Sequence, residues 1–121
     1  MATLNTTFQI SSPDTVDGLL TLDKSMSDTL SYSSTTSDTI TVATGSASVV
    51  VASAVATPTY VYIKNTDITN YCELKEVASH AAWGRLHPGE FIFFCVNSGD
   101  GFELQANTDS CIVEYVTFLK S

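Results

Sequence analysis

Short apolar runs separated by polar or Gly/Pro turns fill this chain, and no window of about 11 residues carries a sustained helical stripe. The run from Tyr60 to Lys120 reads as an uninterrupted β meander. Tyr60 to Lys64 is a strand, Asn65 to Thr69 a turn, and Tyr71 to Val77 the expected hairpin partner. His80 to Trp83 reads as a short loop, and His87-Pro88-Gly89 as a turn. Phe91 to Val96, apolar on both faces, reads as the central strand. Ser98 to Gly101 turns again, Phe102, Leu104 and Ala106 alternate with polar residues, and Cys111 to Leu119 closes the chain.

The first half is dominated by Ser and Thr, a bias toward exposed strand positions and turns. Phe8 and Ile10 alternate in a run ended by a turn at Ser11 to Pro13, so residues 1–10 form an edge strand or, the preferred reading, an N-terminal arm. Val16 to Leu22 is a further short run. Leu30 with Tyr32, and Ile40 with Val42, have the alternation of strands burying one face, with Ser33 to Ser37 as a loop between them. Val49 to Val51 suit a central position, and Gly45-Ser46 fits a hairpin before them. Thr57-Pro58-Thr59 marks a crossing between sheets, because Pro58 cannot donate to a ladder. Short strands at roughly 8–12 residue spacing predict an all-β domain over residues 11–121. Its expected form is a two-sheet sandwich of Greek-key or jelly-roll type, with a closed barrel as the alternative.

Charge narrows the function classes. The chain has 13 acidic and 5 basic residues, a net charge of −8, and no basic patch. Nucleic-acid affinity is dominated by Lys and Arg on phosphates, so neither a nucleic acid nor an anionic membrane is an expected partner. Cys72, Cys95 and Cys111 sit in strand-like runs, where free thiols behave as small buried hydrophobes, and their odd number and wide spacing suit neither a full disulfide framework nor a zinc site. A reducing compartment follows. The start, MATLNTTFQ, lacks the basic and apolar regions of a secretory signal, and the chain reads as soluble.

Candidate chemistry is sparse. His80 and His87 lie at separate turns without converging acid or thiol partners, and LHPGE (Leu86 to Glu90) lacks the paired His of a metal-binding cupin. Glu73, Glu76, Glu90, Glu103 and Glu114 are scattered strand acids, ordinarily a solvated face instead of a glycosidase pair. Asn97 to Gly101 and Asn107 to Asp109 carry oxygens suited to calcium, but these residues are also the usual turn formers. Asn5-Thr6-Thr7 matches a glycosylation acceptor by chance. No nucleophile elbow or phosphate loop is present, so no catalytic residue, cofactor or metal is expected. The aromatics remain: Tyr60, Tyr62 and Trp83 are candidates for an interface or a glycan-stacking face.

In order along the last 60 residues come YVYIKNTDITNYCEL, RLHPGEFIFF and FELQANTDSCIVEYVTFL. This order resembles small virion proteins of tailed bacteriophages, those of cyanobacteria and marine bacteria above all. The resemblance implies a non-enzymatic capsid decoration (cement) protein on the virion surface, made in the host cytoplasm. Its partner would be the major capsid protein, whose subunits it would bridge as a homotrimer. The arm, with Leu4, Phe8 and Ile10 among Thr and Asn, would contact capsid subunits. The alternative is a receptor- or glycan-binding tip of a phage fibre or tail; a small cupin-like enzyme is the third reading.

Overall fold

The computed structural model describes residues 2–12, 22–97 and 99–121, and for residues 10–12 and 22–28 it defines the backbone alone. Among these residues there are nine strands and no helix: β1 (Ala2–Ser12), β2 (Leu22–Val42), β3 (Ser48–Val51), β4 (Thr59–Asn65), β5 (Cys72–Lys75), β6 (Ala82–Leu86), β7 (Phe91–Val96), β8 (Phe102–Ala106) and β9 (Cys111–Lys120). They form two antiparallel sheets, ordered β1-β2-β9-β4-β7 and β3-β8-β5-β6, one of them curled into a half-barrel. The fold is the expected all-β, two-sheet sandwich.

Strand alternation builds the core. Val61 and Ile63 of β4, Val113 and Cys111 of β9, and Val42 of β2 face Cys72 and Leu74 of β5 and Phe102 and Leu104 of β8, all buried. Each large aliphatic or aromatic side chain removed from water in this way contributes about 1.5–3 kcal/mol. Cys72 and Cys111, from opposite sheets, are neighbouring free thiols in this core. Burial above all, then the neighbouring Cys111, pushes the Cys72 thiol up to about 12. Burial raises Cys111 as well.

The chain order departs from a meander. Among the described strands, only β1–β2 and β5–β6 are consecutive and paired in one sheet; the other connections cross the sandwich. Thr57-Pro58-Thr59 is one such crossing, as read from the proline, but Gly45-Ser46 is another and not a hairpin. The Tyr71–Val77 run supplies β5, which pairs with β6 and β8 and not with β4. Ala82 and Trp83, expected in a loop, begin β6. β7 and β3, both expected at sheet centres, are edge strands; β9 is the central strand of the larger sheet. Cys95, expected to be buried, is exposed on β7.

The largest departure is β2. One strand of 21 residues replaces the two separate runs and the Ser33–Ser37 loop, because a Ser/Thr tract with β9 beside it satisfies its backbone in a ladder. Ser11 and Ser12 likewise remain in β1, opposite Asp23 and Leu22. The expected run at Val16 to Leu22 and the turn at Pro13 lie outside the described residues, except that Leu22 opens β2.

A buried amide ties one end of the sandwich together. Asn65, the last residue of β4, donates from Nδ2 to the Asn70 carbonyl and to the Leu86 carbonyl at the end of β6, both at 2.9 Å. Its Oδ1 accepts the Asp67 N–H at 3.0 Å, shaping the loop after β4. Its backbone closes the β6–β7 turn, taking the Gly89 N–H at 2.8 Å and donating to the Glu90 carbonyl at 2.9 Å. That turn runs His87-Pro88-Gly89-Glu90, with Gly89 at φ 82° and the Glu90 N–H on the His87 carbonyl. It is the type II geometry that Pro followed by Gly favours. In the adjoining loop, the N–H groups of Asn70 and Thr69 hold the Asp67 carboxyl below its ordinary range.

Replacing Asn65 with Leu strands two carbonyls and is expected to lower stability by about 2–4 kcal/mol, read as a fall in urea midpoint at unchanged slope. A chromogenic thiol reagent at neutral pH is expected to titrate Cys95 in the native protein. Cys72 and Cys111 should react only in denaturant; native labelling of all three would contradict the packing.

Candidate interaction surface

The outer face of the five-stranded sheet is apolar across most of its width. Facing away from the core are Phe91, Phe93 and Cys95 on β7, Tyr60 and Tyr62 on β4, and Val116 and Phe118 on β9, matched by register. Tyr60 stacks on Phe93 with centroids 6.2 Å apart, and Tyr62 lies 6.5 Å from Phe91. Tyr60 is 8% exposed beneath its neighbours, whereas Phe91 and Phe93 are 58% and 41% exposed. Near the band's edge, the Tyr62 hydroxyl donates to Glu114 at 3.4 Å, and burial, then that carboxylate, raises its pKa.

A one-residue register shift carries this face onto β1 and β2. Ser34 pairs with Leu119 and Tyr32 with Lys120, leaving Ser33 as an extra residue. Ile40 and Val42 therefore point toward the core, while Tyr32, equally even-numbered, points outward and meets Phe118 edge-on at 5.2 Å. Leu30 follows Tyr32 on this face, with Leu4 opposite it. Phe8, two positions beyond Thr6 on the same side of β1, is 46% exposed. Among the described residues, the first ten of β2, Leu22 to Ser31, pair with β1 alone, so the two strands run past β9 as a ribbon.

The sequence-predicted residues are thus distributed unevenly. Leu4 and Phe8 lie on the ribbon's outward face. Ile10 is opposite Lys24 in the backbone register, and its side chain lies outside the described residues. Tyr60 and Tyr62 lie together on the broad face. Trp83 is elsewhere: half exposed on β6, it closes the open side of the core against Phe94 at 5.3 Å and Phe102 at 6.1 Å. The three rings do not form one stacking platform.

The titratable candidates are each tied to a separate partner. His80 Nδ1 lies 2.6 Å from Oε1 of the buried Glu103, Asn107 donates to Glu73, and Glu90 accepts the His87 N–H. Arg85 sits over the Tyr71 ring at 4.8 Å. No group of three metal-ligating side chains gathers among the described residues. The other sheet's outer face is polar, with Lys75 donating to Gln105 at 2.7 Å and Gln105 to the Thr44 carbonyl.

Sequence reasoning missed Phe91 and Phe93 as surface residues. Their signal was present in the two-faced apolarity of FIFFCV, which marks two covered faces but not whether both covers lie within one chain. No known protein family's profile matches this chain, and no curated protein sequence matches it significantly.

Phe91→Ser is expected to cost less than about 1.5 kcal/mol, whereas Ile63→Ala in the core costs about 2–5 kcal/mol. Equal losses in parallel urea denaturations would mean that Phe91 is packed and not on a free face.

Proposed function

We propose that this chain is a non-enzymatic capsid decoration protein of a tailed bacteriophage, which binds across major capsid subunits as a homotrimer and stabilises the shell. The observation that carries the reading is the ribbon of β1 and β2. It extends beyond the sandwich, its β1 strand has no charged residue, and it presents Leu4 and Phe8. An isolated two-stranded ribbon is only marginally stable in water, so covering it with a partner subunit is favourable. The motif order across Tyr60 to Leu119 supplies the phage context. Bridging adds interface area between neighbouring subunits, and any ligand that binds only the intact shell stabilises it by mass action.

Quantitative mass spectrometry of purified particles is expected to find hundreds of copies per virion, as decoration of repeated capsid positions requires; a few copies would indicate a tip or tail component. Deleting residues 1–10 is expected to abolish binding to shells that lack the protein. Unchanged occupancy would rule out the arm as the contact.

A further inference from the structure

The larger sheet ends in two strands, β1 and β7, whose outer edges take no strand partner among the described residues. Neither strand contains a charged residue, in a chain with 18 charged side chains, 13 acidic and 5 basic. Free edges are ordinarily blunted by Lys, Pro or inward-pointing charge, and these two have none of those devices. A chain of net charge −8 repels its own copies, so copies meet most readily where no acid faces another. These two edges meet that condition.

Direction makes them compatible. Every neighbouring pair in the sheet is antiparallel, so β1, β9 and β7 run one way and β2 and β4 the other. β1 of one copy set beside β7 of the next continues the sheet as a parallel pair. The outward apolar face continues with it, bringing Leu4 and Phe8 beside Phe91 and Phe93. We propose that copies of this chain join head to tail, the β1 edge of one adding to the β7 edge of the next, and that the union closes into a ring.

The number of junctions per copy favours closure. β7 has six residues, about 20 Å of strand, so one β1–β7 junction is a short edge pairing. A single junction of that length is well below the roughly 800 Å² per partner in a standard interface. In a ring each copy makes two such junctions, whereas an open pair shares one. Two unlike patches form a heterologous contact, which closes when its rotation allows. The ring size of three rests on the trimer of the proposed function.

The test uses the full-length protein in sedimentation velocity and light scattering. Wild type is expected as a three-chain species. Phe93→Lys blocks β7 and Phe8→Lys blocks β1, and each alone is expected as a single chain with unchanged circular dichroism and a cooperative melt. Phe91→Lys replaces Phe93→Lys if the latter misfolds. Mixed in equal amounts, the two variants retain one good edge each and can make one junction but no ring, so the three-chain species is expected to stay absent. A monomeric wild type overturns the inference, as does a mixture that regains the three-chain species. An oligomer kept by Phe8→Lys but lost in Phe93→Lys also overturns it, since β7 would then pair with its own copy about a two-fold axis. Shell binding is scored separately: a ring that ignores shells counts against the proposed function alone, and a monomer that decorates them counts against the head-to-tail contact alone.

Discussion

The side chain of Asn65 fixes how the two sheets sit on one another at one end of the sandwich. Every polar atom of that buried amide is used: two donors go to carbonyls from the β4–β5 loop and from β6, and the oxygen shapes the loop that leads away. A hydrophobic core is tolerant about direction, since its contacts fall off gradually and in all directions. Hydrogen bonds from a planar amide are not, and an unpaired buried carbonyl is costly. The amide therefore selects one relative placement among those that would bury similar area. The β6–β7 turn, and through it the position of the β7 edge, follows from that selection.

How much of this was legible in the residues depended on whether the signal was local. The Pro88-Gly89 turn was, because φ restriction and φ > 0 are properties of those residues themselves. So were the extents of β4, β7, β8 and β9, which stand as apolar runs between turn formers. Sheet membership was not. Nearly every connection crosses the sandwich, and a Gly-Ser step such as Gly45-Ser46 serves a hairpin or a crossing equally well. The Ser33 to Ser37 tract illustrates a second limit. Hydroxyl side chains are compatible with a turn and with an exposed strand, and only the presence of β9 alongside decides between them. Asn65 itself read as one more turn residue, since nothing nearby in sequence announces that β6 brings a carbonyl to it.

The candidate surface was half visible for a related reason. Apolar residues at both parities of a strand state that both faces leave water, without naming what they meet. For Val61 and Ile63 the cover is the opposite sheet. For Phe91 and Phe93 no part of the described chain supplies it, and their exposure makes the larger sheet asymmetric with the polar back of the smaller one. The Ser33 shift extends this asymmetry. Without the extra residue, Leu30 and Tyr32 would lie on the same side as Ile40 and Val42, beyond the reach of the core.

Because β2 is a single strand of 21 residues, the ribbon and the sandwich are mechanically one body. Its second half lies in register with β9 over ten pairs, from Tyr32–Lys120 to Val42–Cys111. A pull along the ribbon would load those ladder hydrogen bonds in shear, all at once, with no linker to absorb the strain. The strand behaves as a tie rod anchored beside the sheet's central strand, so tension between whatever the ribbon grips and the body of the protein is shared across the ladder instead of peeling it bond by bond.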